Sequence, residues 1–167
     1  MSGGEPTLLP GLLQLCEELK KGGLLIKIDT NGTNSGVLKT LIDCRLVDYI
    51  AVDVKQCLEK YHEAIGLNKK KLPKILREIT KTIALLKKSS LEYEFRTTVV
   101  PGIHSEEDIL RIAQLIEGAS RYYLQQFRPG KTVSKKYENC HPIPIETLYA
   151  WSEKIKSYVS FCEVRVA

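Results

Sequence analysis

The sequence has no run of apolar residues near the roughly 18 needed to cross a bilayer as a helix. At its start it has no basic stretch leading into an apolar one, the pattern of a secretory signal. A cytoplasmic protein without a membrane association is therefore expected. Aromatic residues are scarce, at 7% with one tryptophan and three phenylalanines. The lysine clusters at Lys69–Lys71, Lys87–Lys88 and Lys135–Lys136 carry no interleaved aromatics of the kind that stack on bases. Nucleic acid is thus not expected as a partner, and the net charge of +5 is read as solvated helix ends and loops. Cysteine is present but dispersed. The five residues stand at 16, 44, 57, 140 and 162, an odd number with no close pair. That spacing excludes a disulfide framework and a zinc or cluster loop within the chain. Cys140-His141 is a single adjacent pair and too little for a metal site.

What is present fits one soluble domain over residues 1–167. Apolar residues make up 43% and charged residues 27%. Short apolar or alternating segments at Leu24–Asp29, Tyr49–Val54, Tyr93–Val100, Tyr122–Phe127 and Phe161–Val166 read as strands. Helical spacing covers Leu8–Leu19, a segment around Val37–Ile42, Leu72–Leu86, Ser105–Ile116 and Ile145–Tyr158. Ser105 and Asp108 have capping-box spacing, and Gly22-Gly23 is placed to stop the first helix. The alternation predicts a parallel sheet. Asn31-Gly32 is a hairpin signal in isolation, but the helical period that follows makes it a strand-to-helix loop. Pro129–Pro144 is the one long irregular connection, a surface loop or lid.

Strand parity sorts the polar residues onto one face. Lys27 with Asp29, Asp53 with Lys55, Glu94 with Arg96 and Thr98, and Gln126 with Arg128 share a side. The opposite side carries Ile26, Ile28, Ile50, Val52, Val54, Tyr93, Phe95, Tyr123 and Phe127. Burying the charged side without partners would cost several kcal/mol per ion, so it is either wet or a binding site. In parallel α/β folds ligands bind at the C-terminal strand ends. Gly3-Gly4-Glu5-Pro6, Asp29-Thr30-Asn31-Gly32 and Asp53-Val54-Lys55 are evenly spaced, one β–α unit apart, at such ends. Glu5 could bind an ammonium group or favour a helix start through its dipole. Asp29 could hold a cation or cap a turn. Asp53 and Lys55 could form an ion pair, and Arg96 could clamp a carboxylate or neutralise Glu94. Together these groups suit a zwitterionic ligand carrying an amino-acid moiety.

These elements resemble radical S-adenosylmethionine (SAM) enzymes of the type that activates glycyl-radical enzymes. Ser2–Leu8 looks like the GGEP motif, Asp29–Gly32 like the DTNG element, and Asp53–Lys55 like the D-(aliphatic)-K element. Arg96–Gly102 looks like the R-x-x-V-V-P-G strand and turn, and Gln126–Pro129 like the last strand. The resemblance implies that Gly3, Gly4, Glu5, Thr30, Asn31, Lys55, Arg96, Val100 and Arg128 bind SAM, with Arg128 facing its adenosyl end. It implies a monovalent-cation site at Asp29, Thr30 and Asp53. It also implies a [4Fe–4S] cofactor in the complete protein, a flavodoxin or ferredoxin as electron donor, and a glycyl-radical enzyme as partner. QQFRP after VVPG is most similar to activators of anaerobic ribonucleotide reductase. The expected fold is α/β, a partial and open (β/α) barrel of mostly parallel strands missing its first units. GGEP begins at residue 3, so the family's CxxxCxxC loop, which precedes that motif, is absent from the sequence. None of the five cysteines can replace it, because three thiolates must reach one cluster. The chain is accordingly expected to be the C-terminal portion of a radical SAM core and inactive alone. The alternatives are a non-catalytic SAM- or partner-binding remnant, or a radical SAM enzyme acting on a small molecule or RNA.

Overall fold

A computed structural model describes every residue except Ser2, Leu67, Asn68, Lys131, Val133 and Ala167, together with the Lys69 side chain. Ser2 of the first motif and part of the Pro129–Pro144 connection therefore lie outside the described residues. Five strands form an open parallel sheet: β1 (Lys27–Thr30), β2 (Tyr49–Asp53), β3 (Glu92–Val99), β4 (Tyr122–Gln126) and β5 (Cys162–Arg165). Their order across the sheet is their order in the chain. Among the described residues six α-helices precede or connect them: α1 (Leu12–Lys21), α2 (Ser35–Asp43), α3 (Tyr61–Ile65), α4 (Leu72–Lys88), α5 (Glu106–Leu115) and α6 (Ile145–Ile155). The contacts divide the chain into two compact units.

The first unit comprises Met1–Val54 and Leu67–Phe95. In it β1 and β2 run parallel, with Lys27 opposite Tyr49 and Asp29 opposite Ala51. The other parity, Ile28 with Ile50 and Val52, is fully buried, as are Leu38 and Leu41 of α2 and Ile79 and Leu86 of α4. α1 starts four residues later than its apolar spacing suggests. Pro6–Leu8 forms a separate 3-10 turn, and Gly11 takes a left-handed conformation (φ +79°) that redirects the chain before the helix. Likewise β1 begins at Lys27, because Leu24 and Leu25 are solvent-facing, Leu25 at 85% exposure. The free edge of β1 is met by Met1, whose amino group donates to the Lys27 carbonyl and whose carbonyl accepts from the Asp29 N–H. That reciprocal pair is the pattern of a parallel bridge.

The second unit comprises Lys55–Gly66 and Arg96–Ala167. Its β4 and β5 are parallel, with Tyr122 opposite Cys162. Ile109, Ile112, Ala113 and Ile116 of the α5 segment and Leu148 of α6 are completely buried. Tyr122 is also fully buried, and its hydroxyl donates to Thr97 Oγ1 at 2.8 Å. α5 opens on the capping box that Ser105 and Asp108 announce in the sequence. α3 has no counterpart in the sequence reading; at five residues it is too short for a periodic signal.

Two glycines give opposed predictions. Gly32 has φ +73°, and a Cβ placed there would sit 3.0 Å from Val52 Cγ1 and 3.5 Å from Thr82 Cγ2. Gly32→Ala therefore combines left-handed strain with overpacking and is expected to destabilise the fold by roughly 2 kcal/mol. Gly36, within α2, has ordinary φ and open space around its Cβ position. Gly36→Ala is expected to stabilise by about 0.5–1 kcal/mol. Urea denaturation midpoints of the two variants check both signs at once.

Candidate functional site

In the first unit the GGEP segment is latched to the end of β1 through one carboxylate. Glu5 Oε1 accepts from the Thr7 hydroxyl at 2.6 Å, the Thr7 N–H at 3.2 Å and the Thr30 hydroxyl at 2.6 Å. Oε2 accepts from the Asn31 N–H at 2.7 Å. Oε1 thus takes three of these bonds and Oε2 one, so the carboxylate joins the GGEP segment to the strand end. Gly3 and Gly4 adopt φ +107° and +57°, and nothing lies within 4 Å of a Cβ built on either. They lie in an open depression with Glu5, Pro6, Leu8 and Leu9. That bare backbone beside an apolar wall suits an amino-acid moiety carried on a larger ligand.

The DTNG residues divide by role. Thr30 is 3% exposed, its hydroxyl also accepting from the Gly32 N–H at 3.1 Å. It lies on the parity of Ile28, opposite Asp29, so any part it takes in a cation site falls to its carbonyl. Asn31 Oδ1 accepts from the Thr33 N–H and hydroxyl at 2.9 and 2.6 Å, an Asx turn that leads into α2. The Gly32 carbonyl accepts from Thr82 of α4 at 2.8 Å. Asp29 is half-buried, 3.9 Å from Lys27 Nζ. The register puts Asp53 on the same face, one step beyond Ala51. Further down that face Glu94, 1% exposed, accepts from the Tyr49 hydroxyl at 2.8 Å and lies 3.7 Å from Lys27 Nζ. The charged face of this unit thus compensates Glu94 with Lys27 and Tyr49.

In the second unit, the structure draws two expected SAM residues together through a histidine that the sequence reading passed over. The Val100 N–H donates to His104 Nδ1 at 2.9 Å, and His104 Nε2 lies 2.9 Å from the Lys55 carbonyl. A backbone N–H can only donate, so Nδ1 is the bare nitrogen and Nε2–H donates to Lys55. Around this link Gln56 Nε2 donates to the Ile103 carbonyl at 2.8 Å, and the Lys55 N–H donates to the Tyr61 hydroxyl at 3.3 Å. Lys60 Nζ pairs with Asp108 at 2.9 Å. Burial raises the Asp108 carboxyl, but hydrogen bonds from Lys60 and Ser105 outweigh it and hold the group below its usual value. Burial lowers the His104 pKa, despite the backbone bonds to Lys55 and Val100. Val100 is half-buried and on the parity of Arg96 and Thr98, and its backbone is committed to the turn. Gln126 Nε2 donates to the Ile143 carbonyl at 3.0 Å, and Arg128 is exposed. The sequence signal that could have found His104 is its place three residues after Pro101, inside a turn rather than on a periodic face.

The five cysteines remain apart, and no three or more His, Cys, Asp or Glu residues among those described form a group able to hold a metal ion. Among the described residues, three thiolates are not brought together as a [4Fe–4S] cluster requires. Also among the described residues, no helix is long and apolar enough to cross a membrane.

Glu5→Gln replaces one acceptor oxygen with an amide that faces donors, and is expected to cost roughly 1–3 kcal/mol in urea unfolding. His104 predicts a pH dependence. Its folded pKa lies below the usual 6.5, so the unfolded chain binds more protons between the two values. Stability is full above about pH 6.5 and is lost as pH falls from there through the lowered folded value. Asp108, held below 3.8, gives up its own contribution only in a separate and more acidic window. Unfolding free energies measured from pH 8 to 5 are expected to slope in wild type and flatten in His104→Gln.

Comparison with known proteins bears on this arrangement. The family model for the radical SAM superfamily matches residues 1–116. A Methanocaldococcus jannaschii protein named "Putative glycyl-radical enzyme activating enzyme" is 36% identical over 167 residues, covering 99% of this chain and 69% of that protein. The S-adenosyl-L-methionine-dependent tRNA 4-demethylwyosine synthase of the same organism is 30% identical over 122 residues, 73% of this chain and 36% of that one. Among solved structures, TYW1 with a lysine-pyruvate adduct bound superposes with a TM-score of 0.68 at 20% identity. That match covers 96% of this chain and 49% of TYW1, so the chain spans about half the length of that structure. The family match and the first relative establish that the chain belongs to the radical SAM superfamily.

Proposed function

We propose that the chain is the SAM-binding portion of a radical SAM enzyme that activates a glycyl-radical enzyme. The observation that carries the SAM reading is the Glu5 latch. It holds the glycine pair of GGEP and the end of β1 as one rigid strand-end surface, open where an amino-acid moiety would lie. In this reading Glu5 and the backbone at Gly3 and Gly4 meet the SAM ammonium. Asp29, Asp53 and the Thr30 carbonyl hold a monovalent cation beside the carboxylate. Lys55, Arg96, Val100, Asn31 and Arg128 complete the contacts with SAM. The chain's task is binding and orientation, while the cofactor supplies the difficult chemistry. The family's [4Fe–4S] cluster supplies the electron that splits SAM, and the described residues do not provide its thiolates.

The activating role is supported by the likeness, over nearly the whole chain, to a protein bearing that name. The partner is then a glycyl-radical enzyme, anaerobic ribonucleotide reductase being the first to test, and the electron donor a flavodoxin or ferredoxin. The relative that acts on tRNA supports a second reading, an RNA substrate. Binding of the chain to the reductase rather than to tRNA, measured by biolayer interferometry, separates the two.

Isothermal titration calorimetry with SAM tests the central claim. Saturable one-to-one binding is expected, weakened about tenfold by Asp29→Ala or Asp53→Ala and by replacing potassium with a bulky organic cation. After incubation with iron, sulfide and reductant, the chain alone is expected to bind SAM and release no 5′-deoxyadenosine. No binding by a folded chain, or binding indifferent to both aspartates, would overturn the assignment.

A further inference from the structure

His104 is 7% exposed and makes its two hydrogen bonds to backbone, one to each of two segments expected to carry SAM. On one side is the chain leaving β2, which presents Lys55. On the other is the turn leaving β3, which presents Val100. The Val100 N–H can only donate, so the ring must offer Nδ1 as an acceptor; the Lys55 carbonyl can only accept, so the ring must offer Nε2–H. Only the neutral Nε2–H tautomer satisfies both, since an imidazolium would set N–H against N–H at Val100. A packing role would ask nothing of either nitrogen. Moreover, the Ile103 and His104 N–H groups both donate to the Val100 carbonyl, at 3.1 and 3.0 Å, which closes the turn around the ring.

From these bonds we infer that His104 is a positioning residue for SAM: its neutral imidazole fixes the Lys55 and Val100 backbones in the relation that ligand binding needs. The inference rests on the SAM-binding reading above. It adds a residue outside every motif that suggested that reading. The charge that acts on the ring is that of Asp108 at the start of α5, which is paired with Lys60; Lys55 meets the ring through its carbonyl. Asp108 favours the imidazolium by its charge, and burial opposes it and prevails. Lys60 and Ser105 hold the Asp108 carboxyl below its ordinary value, and Asp108 in turn raises Lys60. Protonation of His104 would set N–H against N–H at Val100 and so release that bond.

The test uses the full chain and two kinds of measurement. In nitrogen-detected NMR of histidine-labelled protein at pH 7.5, His104 is expected as the Nε2–H tautomer with an unprotonated Nδ1. A protonated Nδ1 overturns the inference without any ligand present. Calorimetry with SAM then compares wild type with His104→Ala, His104→Asn and His104→Gln. Asparagine can return an acceptor near the Nδ1 position, and glutamine a donor near Nε2. The alanine variant is expected to lose about tenfold in SAM affinity, with asparagine and glutamine intermediate. Should alanine prevent folding, the other two carry the comparison. Wild-type affinity should also fall as pH drops below 6.5, and the glutamine variant should not follow. Variants that bind SAM like wild type, with only a lowered melting temperature, reduce His104 to a structural residue and leave the SAM reading intact. Failure of wild type itself to bind SAM removes that reading and this inference with it.

Discussion

A single carboxylate sets the upper end of the first unit. Parallel strands end in loops whose backbone groups have no ladder to join, and each must find a partner or water. Glu5 answers that requirement for two segments at once, accepting from Thr7 within its own turn and from Thr30 and Asn31 at the end of β1. Charge-assisted bonds of this kind are shorter and stronger than neutral ones, so one side chain can hold two loops in register. The glycines before Glu5 can then leave their backbone bare, because the residue that follows supplies the rigidity they lack.

The second unit reaches the same end by a different route. There the loops are joined through neutral donors and acceptors, His104 and Gln56, backed by the buried Asp108 that closes the capping box and receives Lys60. Asp108 uses one oxygen for the helix start and the other for the loop after β2. A residue that local sequence identifies only as a cap is thereby also a tertiary fastener. One unit fixes its strand end by charge, the other by a histidine whose usefulness depends on remaining uncharged.

The alternation of periods was enough to read the parallel sheet and five of the six helices, because buried strand faces and amphipathic helices both write their spacing directly into the chain. Boundaries were less legible. Gly11 and the 3-10 turn at Pro6–Leu8 interrupt an apolar pattern that looks continuous, and Leu24-Leu25 is apolar yet exposed. In the site, the strand-end acids and the glycine pair were visible because they punctuate the pattern. The direction in which Glu5 spends its charge was not, since Thr7 and Thr30 are unremarkable in sequence and meet only through the fold. His104 was hidden for the same reason, as its two partners are backbone atoms that carry no residue identity.

The coincidence of sheet order with chain order bears on how the molecule comes to exist. Each strand docks on the one made just before it, with a helix between, so no strand waits for a distant segment and no connection has to be threaded. Loop-closure entropy is then met in small instalments, a regime in which rates are less limited by non-local pairing. During synthesis β2 would emerge after β1, and β3 after β2, each able to add to the strand before it. The inner edges of β1 to β4 are each covered as soon as the next β–α unit emerges, while the outer edges of β1 and β5 gain no strand from this sheet.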